Sequence, residues 1–182
     1  MHLPPPFPES YVVDPLLIAG EYPLHPGQHD AQARLEALIA RGVSCFIDLT
    51  NDPEVYPHPH QGRPFTLVSY APILATLRTP NGTTPMHHHF PIMDGGVPTD
   101  AQIRAALATI AAAQSRGETC YVHCRGGIGR TGVVVGCYLV THGVAPHTAL
   151  QRVQAYLDTT PRRGMLSPEH GSQRAYVRNF KP

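Results

Sequence analysis

Six positions separate a cysteine from an arginine in His123-Cys124-Arg125-Gly126-Gly127-Ile128-Gly129-Arg130-Thr131, and three of the five residues between them are glycine. An apolar-rich run, Thr119 to Val122, leads into the cysteine, and a second, Gly132 to Val140, follows the arginine. The pattern predicts a strand, a tight loop and a helix, with a thiol at the loop entrance and a guanidinium at its exit. Such a loop turns successive backbone N–H groups inward and forms a concavity for an anion. The helix N-terminus adds positive potential at the same point. A thiol so placed is expected to ionise below its free value of about 8.5. A thiolate beside a phosphate-sized cradle points to nucleophilic phosphoryl transfer.

On this reading Cys124 attacks phosphorus and Arg130 holds two oxygens with its planar fork, a geometry lysine cannot supply. The amides of residues 125–130, from Arg125, Gly126, Gly127, Ile128, Gly129 and Arg130, bind the remaining charge. Arg125 is expected to be exposed and to favour acidic substrates, and His123 to order the loop through its ring hydrogen bonds.

The segment resembles the His-Cys-x-x-Gly-x-x-Arg-Ser/Thr signature of the protein tyrosine phosphatase superfamily, with His123, Cys124, Gly127, Arg130 and Thr131 all in place. The general look is similar to compact dual-specificity phosphatases of the small bacterial type. That resemblance implies a catalytic acid on an upstream loop. Phe90-Pro91-Ile92-Met93-Asp94-Gly95-Gly96-Val97-Pro98 matches it, with Asp94 as acid and Gly95-Gly96 as a hinge-like setting for a closing loop. Asp100 is the competing carboxylate, but it sits just inside a helix start, where an acid merely suits the dipole. Thr131, by the motif match, would donate to the thiolate. Gln173, in Ser167-Pro168-Glu169-His170-Gly171-Ser172-Gln173, resembles a residue that orients the hydrolytic water. Turnover would need Cys124 ionised while Asp94 is protonated, hence a bell-shaped pH profile.

Other chemistries fit less well. Residues 127–132 also satisfy G-x-G-x-x-G, but a dinucleotide fold then needs a second strand ending in an acid. Pro146–Leu157 instead repeats its apolar residues at helical spacing. A Walker loop would need Gly-Lys-Ser/Thr. Cys120, His123 and Cys124 with His87-His88-His89 make a poor zinc signature, and neither metal nor other cofactor is expected.

The elements that must position these residues read as alternating helices and apolar strands. The expected fold is α/β, a central mostly parallel sheet flanked by helices, cysteine-phosphatase-like. Strands are expected at Tyr11–Ala19 (interrupted at Pro15), Val43–Leu49, Met86–Ile92 and Thr119–His123. Helices are expected at Gln28–Ala40, Asp100–Arg116 behind a Thr99/Gln102 capping box, and Pro146–Leu157, with a last one opening at Ser167-Pro168. Phe65–Leu77 reads as a strand and a turn, and Thr50–Pro64 as a loop on the ligand side of the sheet. Pocket depth would be set by loops 51–64 and 72–85.

The 182 residues predict a loose proline-rich tail over 1–10 and one domain over 11–182. A net charge of +1 gives no basic field for nucleic acid, and no apolar run is long enough for a bilayer span. The start lacks the apolar core of a signal peptide. Cys45, Cys120, Cys124 and Cys137 lie mostly in apolar runs, which points to reduced thiols and a cytoplasmic location. Cys45 is the candidate redox partner of Cys124. The expected activity is hydrolysis of phosphotyrosine, with phosphoserine or phosphothreonine as further candidates, in proteins or peptides. Inositol phosphates or phosphoinositides are the enzymatic alternative, and a phosphate-reading module is the non-enzymatic one. Oligomeric state is not legible.

Overall fold

The computed structural model describes residues 4–24, 31–57 and 64–182. A five-stranded sheet has the order β1-β2-β7-β3-β6. β1 (Ser10–Asp14) and β2 (Leu17–Gly20) form an antiparallel hairpin around Pro15. β2, β7 (Thr119–His123), β3 (Val43–Asp48) and β6 (Met86–His89) run parallel. A separate two-stranded ribbon pairs β4 (Val55–Pro57), inside the stretch expected to be loop, with β5 (Pro64–Thr66), which reaches into the stretch read as a strand and a turn.

Side-chain alternation along the parallel strands divides the core into two layers. Ile18, Phe46 and Tyr121 face α1 (Ala31–Ala40) and α2 (Ala71–Leu74), with Leu35, Leu38 and Leu74 buried among them. Leu17, Cys45, Ile47, Cys120 and Val122 face the other layer, made of α3 (Asp100–Ser115), α4 (Gly129–Thr141), α5 (Pro146–Leu157) and α6 (Gly171–Asn179). Both faces of the sheet are thus covered, as near-continuous apolar strands require. α4 is buried from Gly129 to Val140. Its three consecutive valines are poor helix formers, so packing on all sides decides its conformation.

The expected elements stand with these further adjustments, β6 also ending at His89 and not at Ile92. Residues 28–30 of the first helix and 58–63 of the Thr50–Pro64 loop lie outside the described residues. The turn after β5 is a short helix, α2, with Pro72 in its first turn, where a missing N–H costs nothing. The last helix starts at Gly171, not at Ser167-Pro168. Ser167 is turned back, its hydroxyl donating to the Ile128 carbonyl at 2.8 Å and its N–H to Gln154 Oε1 at 3.0 Å, while the His170 N–H donates to Gln173 Oε1. The tail expected over 1–10 is packed from Phe7 onward: that ring is buried against Tyr121 and covered by the Arg34 guanidinium, and Ser10 already opens β1.

Candidate active site

Gly20, His123, Asp48 and His89 stand side by side at the C-terminal ends of the four parallel strands. The chain turns there from β7 into α4. Three carbonyls of this turn are drawn outward: the Leu49 N–H donates to His123 O at 3.0 Å, the Tyr22 N–H to Arg125 O at 2.9 Å, and the Ser167 hydroxyl to Ile128 O. In a planar trans peptide the N–H points opposite to the carbonyl. The N–H groups of Gly126 and Gly129 therefore point away from these partners, and both residues, with Cys124, line a cavity of about 210 Å³. Gly127 allows the turn with φ +70°, and a Cβ there would lie 2.5 Å from the Gly20 carbonyl carbon.

Cys124 is 3% exposed and contributes to the cavity lining together with Asp94, Gly95, Arg125, Ile128, Arg130, Arg162, Met165, Glu169 and Gln173. Arg125 is half-buried, more enclosed than expected. Arg130 is 1% exposed, and its fork is held from behind. Nη1 and Nη2 each donate to one oxygen of buried Glu54 at 2.7 Å, and Nη1 also to the Ile92 carbonyl at 3.0 Å. Nη2 reaches Asp94 Oδ1 at 2.8 Å. Burial opposes the charge on Arg130, but the Glu54 carboxylate bonded to it, with Cys124 and Asp94 nearby, more than offsets this and raises its pKa above the ordinary value. The site thus brings a thiol, a fixed guanidinium and a half-exposed carboxylate around one small cavity.

The Thr131 hydroxyl is buried and makes no hydrogen bond, to the Cys124 sulfur or to any other described group. Gln173 is fully buried, with Oε1 accepting from the His170 N–H and Nε2 donating to the Gly96 carbonyl. His123 sits beneath the loop. Its Nε2 lies 2.7 Å from the Tyr70 hydroxyl, and its Nδ1 3.4 Å from the Cys124 carbonyl. Burial pushes the His123 pKa down to about 4 and that of Tyr70 well up, so a neutral ring accepts from a protonated phenol. Burial would raise Asp48, but His123, the His87 ring and two Thr50 donors pull it well below the usual carboxylate range.

Several expectations are corrected by these positions. Loop 72–85 does not border the cavity. Its Thr79–Thr84 part lies beside Gly42, Gly117 and Thr119, at the opposite end of the sheet. In the described part of loop 51–64, Glu54 lies behind Arg130, and among the described residues the cavity wall includes Arg162, Met165 and Glu169. Cys45 pairs in register with Cys120, four residues before Cys124 on β7, roughly 13 Å along the strand. That exceeds the reach of a disulfide. Residues 146–157 form α5, which removes the strand a dinucleotide fold would need. The histidine run is engaged within the fold, His87 with Asp48 and His89 with the Thr50 carbonyl.

Glu54 and Ser167 were not singled out by sequence reasoning. The one signal for Glu54 was an acidic residue in the loop that follows a central strand on the ligand side. For Ser167 no comparable signal exists.

A viral protein, "Putative tyrosine phosphatase 067L" of Invertebrate iridescent virus 3, is 27% identical over 184 residues, which cover 94% of this chain. The chain spans 64% of that relative's length. The fold is similar to the crystal structure of Tk-PTP in its G95A mutant form, with TM-score 0.65, 20% identity and coverage of 93% and 92% of the two chains. It is equally similar to PTPMT1 in complex with PI(5)P, with TM-score 0.65, 18% identity and 94% coverage of each chain. The family model PTP-SAK, described as "Swiss Army Knife protein, DSP-PTPase phosphatase domain", matches residues 28–167, and the chain belongs to this family.

Proposed function

We propose that the chain is a cysteine-dependent phosphomonoester hydrolase acting on phosphotyrosine, and on phosphoserine or phosphothreonine, in proteins or peptides. The observation that carries this reading is the placement of Cys124, Arg130 and Asp94 around one cavity lined by the turn into α4. The substrate dianion would take the loop amides and the Arg130 face that Asp94 occupies. Displaced from Arg130, Asp94 would face the ester oxygen. Cys124 Sγ attacks phosphorus and the ester P–O bond breaks, with the Asp94 proton going to the leaving oxygen. Water then attacks the phosphocysteine, giving its proton to Asp94. The S–P bond breaks, releasing phosphate and the thiolate. Thr131, with its unused buried hydroxyl, is the candidate donor to that departing sulfur.

Ile128 and Met165 give the cavity an apolar wall suited to a phenyl ring, which favours phosphotyrosine. A second reading, an inositol phosphate or phosphoinositide substrate, draws on the fold shared with PTPMT1, crystallised with PI(5)P, and on Arg125 and Arg162 in the lining. The cytoplasmic location belongs to the same proposal and rests on the apolar settings of the cysteines. Among the described residues, no helix is long and apolar enough to cross a membrane.

A turnover panel of phosphotyrosine peptides, phosphoserine peptides and inositol phosphates tests these readings, with Cys124→Ser as control. The expected order places phosphotyrosine peptides first and gives no turnover by Cys124→Ser. Preference for inositol phosphates would select the second reading, and turnover by Cys124→Ser would refute both.

A further inference from the structure

The acid loop, residues 91–96, carries two glycines suited to a mobile hinge, yet it is fastened at both ends. At its start, Gln102 Nε2 donates to the Pro91 carbonyl at 2.6 Å and Arg130 Nη1 to the Ile92 carbonyl at 3.0 Å. At its end, Gln173 Nε2 donates to the Gly96 carbonyl at 2.9 Å, a contact between residues 77 apart in the chain. The loop closes on itself through Gly96 N–H to the Met93 carbonyl. Gln173 is fully buried and fixed at its other end by the His170 N–H. It also packs on the first turn of α4, where a Cβ added to Gly129 would lie 3.0 Å from its amide. An amide engaged on both sides is a good tether, and only one hydrogen and one lone pair remain for a water.

We infer that Gln173 is a positioning residue for Asp94: it latches the acid loop beside the first turn of α4, so that Asp94, once substrate displaces it from Arg130, stays within reach of the leaving oxygen. This rests on the phosphatase reading and assigns Gln173 to the first chemical step, where the motif resemblance implied the second. A general acid acts only within hydrogen-bond reach of its target, and a displacement of about 1 Å can cost on the order of 100-fold.

The test uses Gln173→Met, which fills the same space, removes the donor to Gly96 and adds no charge to the cavity that Gln173 lines. Gln173→Leu, likewise uncharged and without polar atoms, serves as the second variant should the first fold poorly. kcat/KM is measured on phenyl phosphate, whose leaving oxygen must be protonated, and on dinitrophenyl phosphate, whose leaving oxygen need not be. kcat/KM reports only steps up to phosphocysteine formation, so a group that merely holds the hydrolytic water does not move it. The latch predicts a loss on the order of 10- to 100-fold on phenyl phosphate and less than about threefold on dinitrophenyl phosphate. It also predicts no further loss when the substitution is added to Asp94→Asn. Unchanged kcat/KM on both substrates, an equal loss on both, or a further loss in the Asp94→Asn background would overturn it. Turnover by Cys124→Ser would instead sink the hydrolase reading itself, a separate outcome.

Discussion

Asp94 and Glu54 share one guanidinium, but they bind it for opposite reasons. Glu54 approaches from the buried side with two bonds of 2.7 Å and stays there. Removing it strands a buried charge, so Glu54→Ala should cost about 3 kcal/mol in a urea melt. Asp94 is 48% exposed and, on the proposed reading, holds the face of Arg130 that a phosphate oxygen would take. Asp94→Ala should therefore lower kcat by roughly 100-fold. The same substitution should tighten inorganic phosphate binding about two- to fivefold, because a half-exposed competitor for Arg130 is gone. Calorimetric titration of phosphate checks the second half. Weakened binding would mean that Asp94 does not compete for the anion.

At the scale of elements, the signature turn depends on contact with a strand far away in the chain. Gly127 lies against Gly20 at the end of β2, and its φ is positive. Gly127→Ala should destabilise the fold by about 2 kcal/mol or more, through strain and displacement of that backbone. Thermal denaturation of the variant measures it. The turn itself was legible in the sequence because strand, glycines and helix are contiguous, and so was the capping box at Thr99, whose pattern lies within four residues. The acid loop was legible by position only through its family pattern. What supports these pieces was not legible. Glu54 meets Arg130 across 76 residues, and Ser167 meets Ile128 across 39. No local periodicity encodes such pairings. The last helix was misplaced for a related reason: Ser167-Pro168 has a helix-start composition, but tertiary bonds claim Ser167 for the back of the signature turn.

Across the whole molecule, His123 ties stability to pH. The ring is fully buried and its pKa falls from 6.5 to about 4. The folded state thus binds fewer protons than the unfolded chain between those values. The stabilisation is complete above about pH 6.5 and is lost as pH falls toward about 4, a difference of about 3 kcal/mol. Asp48, also shifted downward, loses its share only in stronger acid. Chemical denaturation at several pH values should show this slope, and His123→Gln should flatten it. An equal slope in that variant would move the effect to other groups.

The separation of the four thiols bears on how the molecule ages under oxidants. Cys45 and Cys120 lie at the far end of their strands, and Cys137 is eight residues into α4, about 12 Å of helical rise. A sulfenic acid formed at Cys124 has no internal thiol within reach, so it is reduced by small-molecule thiols, or it condenses with the adjacent backbone nitrogen, losing water, to a sulfenamide that still needs a thiol reductant. Brief peroxide exposure should give inactivation that dithiothreitol reverses, without any intramolecular cystine involving Cys124 by mass spectrometry. Longer exposure should pass on to the irreversible sulfinic acid.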